Sequence, residues 1–168
     1  IADEMGDLPL VAEDLGIITP DVTALRHQFG LPGMAVLQFA FDEHADNPHK
    51  PANVHPDTVY YTGTHDNDTT LGWWRTLPDA ARQQVMQSLE VHDPDAVPDA
   101  MIDTVLGSRA ALAVLPLQDV LRLGPEARMN TPGTDNGNWT WRFQWDALPL
   151  DLAPRMLKKL QKALRCET

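Results

Sequence analysis

Cysteine is nearly absent from this chain: Cys166 stands alone among 168 residues. A single thiol cannot close an internal disulfide, which excludes a small secreted fold stapled by bridges and fits a reducing, cytoplasmic setting. Long apolar runs are absent too. The longest, Ala110 to Leu117, contains Pro116 and falls far short of the ~20 residues that span a bilayer. Positive charge is scarce, with 13 Lys and Arg against 24 Asp and Glu and a formal net charge of −11. That balance repels nucleic acid and anionic membrane, and it suits a neutral or cationic ligand. The opening Ile1-Ala2-Asp3-Glu4 has neither an initiator Met nor a signal-peptide pattern, so the chain reads as the C-terminal part of something longer. No glycine loop is built to cradle phosphate, and there is no G-x-S-x-G elbow. His44, His49 and His55 match no standard zinc spacing and read as scattered surface residues.

What is present is globular: 43% hydrophobic and 22% charged residues, enough for one domain with a core. A complete eight-fold βα-barrel needs about 250 residues, so this chain is too short for one. Leu8 to Glu13 reads as a short strand. Thr19 as N-cap, Pro20 and Asp21 open a helix with Val22, Leu25 and Phe29 on one face, stopped by Gly30. Met34 to Phe41 reads as a second strand, and 42 to 58 as a polar loop. Val59 to Thr62 is a third strand, followed by helices over 71–77, from Pro78-Asp79, and around Met101 to Gly107. Leu112 to Leu121 reads as a fourth strand interrupted by Pro116. Gly124 to Trp145 is loop-like, and a terminal helix from about Pro154 turns Met156, Leu157, Leu160 and Leu164 inward. Strands alternating with helices predict parallel βαβ units, an α/β fold of about four parallel strands.

Two strand ends carry the chemistry. Glu13-Asp14 closes the first strand, and His65-Asp66-Asn67-Asp68 follows the third behind Gly63. A carboxyl leaving a low-dielectric wall has its pKa raised and can act as a general acid, which is the reading for Glu13. Asp14 points the other way along a strand. The alternative is an ordinary polar strand end. An imidazole, an amide and a carboxylate together serve sugar hydroxyls, and a carboxylate there stabilises positive charge developing at an anomeric carbon. The alternative for that run is a solvated turn that caps the next helix. Trp73, Trp74, Trp139, Trp141 and Trp145 can stack on sugar faces or fill core.

The runs Val11-Ala12-Glu13-Asp14-Leu15-Gly16-Ile17-Ile18-Thr19-Pro20, Phe29 to Met34, Val36 to Phe41 and Tyr61 to Trp74 strongly resemble the 4-α-glucanotransferases, or amylomaltases, of the α-amylase superfamily. Pro116 to Leu121, Asn130 to Thr134 and Gly137-Asn138-Trp139 extend the resemblance over nearly the whole chain. It implies that Glu13 is the general acid/base, that Asp66 grips sugar hydroxyls and stabilises the transition state, and that His65 is its sugar-binding neighbour. Asn67, Asp42 and Asn138 match sugar-binding surroundings. It further implies the C-terminal half of a (β/α)8 barrel over residues 1–168, from the fifth strand to the closing helix, with the N-terminal half of the same enzyme as partner. The activity implied is transfer of α-1,4-glucan segments to glucose or malto-oligosaccharides, with no metal and no organic cofactor. The family's nucleophile, an aspartate in an Arg-Ile-Asp-His-like run, has no match in this sequence, so the chain alone is expected to be inactive. A hydrolase of the same superfamily and a non-catalytic glucan-binding module are the competing readings.

Overall fold

The computed structural model describes residues 10–166. Among them lies one three-stranded parallel sheet in sequential order: β1 (Gly33–Val36), β2 (Thr58–Tyr61) and β3 (Leu112–Val114). Six α-helices accompany it: α1 (Pro20–Gln28), α2 (Thr70–Thr76), α3 (Asp79–Ser88), α4 (Val97–Leu106), α5 (Leu117–Val120) and α6 (Leu152–Lys162). Strand parity divides the sheet. The row Ala35, Tyr60, Ala113 faces the core beneath α2, α3 and α4, while Met34, Tyr61 and Val114 line the opposite, open face. Val97, Met101, Ile102, Val105 and Leu106 bury α4 most deeply. Each large side chain fully buried there contributes about 1.5–3 kcal/mol.

Local chemistry sets the element ends. Pro20 starts α1 at the position where a missing N–H costs nothing. At its other end Gly30 adopts φ 60°, and the Leu31 N–H reaches back to the Arg26 carbonyl at 3.1 Å. Thr69 caps α2 by accepting the Gly72 N–H at 3.1 Å.

Several expectations need correction. Leu8 and Pro9 lie outside the described residues, and Leu10 to Glu13 does not join the sheet as a strand. It keeps one ladder bond, from the Ala12 N–H to the Pro32 carbonyl at 2.9 Å. Two donors on that edge of β1 are taken by side chains: the Met34 N–H by Asp14 at 2.7 Å and the Val36 N–H by His49 at 3.2 Å. The sheet therefore has three strands rather than four among the described residues. Met34 to Phe41 is strand only to Val36 and then turns at Leu37–Phe39, with Leu37 still buried, so the apolar run continues past the strand end. Leu112 to Leu121 is strand only to Val114, because Pro116 lacks the N–H a ladder needs and instead opens α5.

The link from β1 to β2 contains no α-helix, only the single 3-10 turn at Leu37–Phe39. It is fastened instead by Asn47 and Asn53, whose amides donate to the Phe39, Ala45 and Asn47 carbonyls at 2.8 Å each. His49 in this loop is half-buried, not a surface residue: its ring packs edge-on to Phe39 and its carbonyl accepts the Tyr60 hydroxyl at 2.7 Å. His44 and His55 are exposed as expected.

The inward faces expected of α1 and α6 are not buried among the described residues. Val22, Leu25 and Phe29 are exposed on α1, and Leu157 and Leu164 remain 48% and 90% exposed. Polar bonds hold the C-terminal segment instead. Lys159 pairs with Asp103 at 2.7 Å and Asp99 at 3.5 Å, and Arg165 donates to the carbonyls of Leu106, Ser108 and Ala110 at the end of α4. A cation at a helix C-terminus meets the negative end of its dipole.

Candidate active site

A cleft of about 800 Å³ opens on the free face of the sheet. Met34, Tyr61 and Val114 form its floor. Val11, Glu13, Leu15 and Gly16 line one side; Gly63, Thr64, His65, Asp66 and Asn67 line another, with Pro116 and Pro132 beyond. Glu13, His65, Asp66 and Asn67 are thus gathered on one cavity from two chain segments. Asp42 and Asn138 are not among its lining residues. Asp42 accepts the Asn47 amide at 2.9 Å and the His44 N–H at 3.2 Å, and it pairs with Lys50 at 3.5 Å. Asn138 closes its own turn, accepting the Thr131 N–H at 2.9 Å and donating to Thr134 at 3.0 Å.

Glu13 is held in place by its neighbour. Asp14 points away from the cleft, bonds the Met34 N–H and pairs with Arg26 Nε at 3.1 Å. A Cβ on Gly33 would lie 2.5 Å from Asp14 Oδ2, so only glycine admits this carboxylate against the start of β1. The Glu13 side chain itself is exposed rather than set in a low-dielectric wall, since Leu10 and Val11 beside it are also open to solvent. Its charge is felt at the cleft floor. Burial pushes the Tyr61 hydroxyl above its ordinary range, and the Glu13 carboxylate adds to that rise.

Asp66 sits at the tip of a braced turn. Asn67 Oδ1 accepts both the N–H and the hydroxyl of Thr64 at 2.9 Å, and the Asp66 N–H donates to Thr64 Oγ1 at 3.3 Å. His65 Nε2 lies 3.3 Å from Asp66 Oδ1, both side chains about half-exposed. A second loop grips the same turn. Asn130 Nδ2 donates to Asp66 Oδ1 at 2.6 Å, Arg128 donates to the Asp66 carbonyl at 2.7 Å, and the Asn130 N–H donates to the His65 carbonyl at 3.1 Å. Trp139 lies against the His65 ring, centroids 5.0 Å apart, and adopts φ 60°. Asn130 and Arg128 are additions to the residues read from the sequence, where Asn130-Thr131-Pro132-Gly133 signals only a turn. Of the tryptophans, Trp139 stands at the site, Trp74 is core, Trp73 packs on Phe41, and Trp145 is exposed. Among the described residues, no group of three or more His, Cys, Asp or Glu side chains is arranged to hold a metal ion, and no helix is long and apolar enough to cross a membrane.

A carboxylate, an imidazole and an exposed glutamate around one open cleft can grip hydroxyls and move a proton at an acetal oxygen. Comparison with known proteins gives the same direction. Residues 1–148 match the family model described as 4-alpha-glucanotransferase. The chain is 51% identical over 161 residues to the 4-alpha-glucanotransferase of Thermus thermophilus, covering 92% of this chain and 31% of that protein. It is 49% identical over 143 residues to the chloroplastic/amyloplastic 4-alpha-glucanotransferase of Arabidopsis thaliana, covering 85% and 25%. Among solved structures, the amylomaltase from Streptococcus agalactiae in complex with acarbose superposes with a TM-score of 0.92 at 27% identity, over 99% of this chain and 34% of that one. The chain thus spans about a third or less of the length of these relatives.

Proposed function

The chain belongs to the 4-alpha-glucanotransferase family, and on that premise we propose that it is the carboxyl-terminal half of a (β/α)8 catalytic barrel in a cytoplasmic enzyme that transfers α-1,4-glucan segments. Support for the half-barrel comes from the sequential parallel order of β1, β2 and β3, with His65, Asp66 and Asn67 on the segment that follows the end of β2. The observation that carries the activity is the meeting of Glu13 with Asp66 and His65 on one cleft.

In the first half-reaction the Glu13 carboxyl gives its proton to the glycosidic oxygen as the C1–O bond breaks. An aspartate from the N-terminal half of the barrel attacks C1 and forms the glycosyl-enzyme, as retaining chemistry requires. Asp66, oriented by Asn130 and His65, stabilises the positive charge that develops at C1. In the second half-reaction Glu13, now a carboxylate, takes the proton of an incoming sugar 4-hydroxyl, which attacks C1 and releases the aspartate. Donor and acceptor are malto-oligosaccharides or glucose. That an amylomaltase structure holds acarbose supports this substrate class. The chemistry needs neither metal nor organic cofactor.

The test is disproportionation of maltotriose by the complete enzyme, read by chromatography as glucose together with longer maltodextrins. The 168-residue chain alone gives neither under this proposal, because its sequence holds no Arg-Ile-Asp-His-like run to supply the nucleophilic aspartate. Glucose and maltose without longer products from the complete enzyme would replace transfer by hydrolysis.

A further inference from the structure

Asp119 on α5 is 2% exposed and has no cationic partner among the described residues. A buried carboxylate is costly to keep without a counter-charge, so its bonds indicate its role. Oδ2 accepts the Thr62 hydroxyl at 2.5 Å and Oδ1 accepts the Thr70 N–H at 2.7 Å. Thr62 directly follows β2 and Thr70 opens α2; between them run Gly63 to Thr69, the turn that carries His65 and Asp66. Gln118, beside it, donates to the Ala127 carbonyl at 3.3 Å, next to the Arg128 that holds the Asp66 carbonyl. Burial pushes the Asp119 carboxyl above its ordinary range, while the Thr62 and Thr70 bonds pull it back.

We infer that Asp119 is a positioning residue for Asp66: it pins both ends of the 62–70 segment, so that Asp66 and His65 are presented to the cleft in one geometry. This rests on the transferase reading for its kinetic consequence, but not for its structural one. Asp119 does not line the main cleft; it lines a smaller adjoining cavity of about 180 Å³, shared with His65, Asn67 and Trp139, where both its oxygens are already taken by Thr62 and Thr70. An alanine there removes both acceptors, so both pins are lost, whereas an asparagine keeps both, its Oδ1 on the Thr70 N–H and its N–H₂ donating to the Thr62 hydroxyl oxygen.

The complete enzyme is the material, with maltotriose as donor and acceptor. Asp119→Ala should lower kcat per folded molecule about ten-fold or more while KM moves less than about two-fold. Hydrogen exchange over 63–69 should rise with β1–β3 unchanged. Thr62→Val should follow it, and Thr62→Ser, which restores the hydroxyl, should recover most of the rate. Val105→Ala, a cavity in α4 away from the site, should lower Tm and leave kcat per folded molecule in place. The inference is overturned if Asp119→Ala keeps kcat within about two-fold, or if kcat falls equally in Val105→Ala at matched Tm loss. Unchanged exchange over 63–69 overturns it whatever the kinetics. If the parent enzyme transfers no glucan, the proposed function fails, and the exchange measurement alone decides Asp119.

Discussion

Replacing Asp14 by alanine tests how Glu13 is held. Asp14 makes two bonds, an ion pair with Arg26 at 3.1 Å and acceptance of the Met34 N–H at 2.7 Å. The two side chains are only 18% and 12% exposed, so water replaces neither bond fully. Orphaning a fully buried charge costs about 3–5 kcal/mol. Arg26 escapes the whole of that cost because it still donates to the Leu31 carbonyl at 2.8 Å and lies 3.5 Å from Asp57. The Met34 N–H loses a charged acceptor, a bond of about 1.5–3 kcal/mol. Together these give about 3 kcal/mol for Asp14→Ala. Asp14→Asn keeps an acceptor for Met34 and loses only the ion pair, which leaves a cost of about 1–2 kcal/mol. Urea unfolding followed by tryptophan fluorescence measures both variants. A loss below about 1 kcal/mol for alanine, or equal losses for the two, would refute the two-bond account.

Met101→Ala opens a cavity at a fully buried α4 position and should cost about 3 kcal/mol in the same assay. The His49 imidazole is held below its ordinary pKa of 6.5 by burial, against the pull of Asp14 and Asp42, and it accepts the Val36 N–H as a neutral ring. The unfolded chain therefore takes up that proton first on acidification. The stability tied to His49 is complete above 6.5 and falls as pH drops through the depressed value. His49→Gln should flatten the decline in unfolding midpoint between about pH 7 and about pH 5.5, and an unchanged slope would remove His49 as its source. Asp66→Asn should lower kcat more than it raises KM, since its charge matters most as positive charge develops at C1. Kinetics in which only KM moves would reduce Asp66 to a sugar contact.

The helices were legible where local chemistry marks them. Thr19-Pro20 and Gly30 bracket α1, and Pro78 and Gly107 flank α3 and α4 at one end each. The strands look longer in the sequence than they are because apolar runs do not stop where strands do. Leu37 stays buried within a turn, and the apolar residues after Val114 run into Pro116 and α5. At the site, Glu13, His65, Asp66 and Asn67 were legible as polar residues closing apolar runs. Asn130 and Arg128 were not, because their roles come from a contact more than sixty residues away in sequence. His49 is illegible for a related reason: a polar loop hides a half-buried ring whose partners, Val36 and Tyr60, lie on the strands.

The central claim is that Glu13 supplies the proton for glycosidic cleavage. Glu13→Gln in the complete enzyme keeps the side chain's shape and removes the transferable proton. Two donors separate the roles: maltotriose, whose sugar leaving group needs protonation, and α-maltosyl fluoride, whose fluoride leaves without it. The account predicts that transfer from maltotriose falls about 10²-fold or more, while release of fluoride on forming the glycosyl-enzyme persists near the parent rate. A variant that keeps more than about half its transfer from maltotriose, or loses both donors equally, would contradict the assignment.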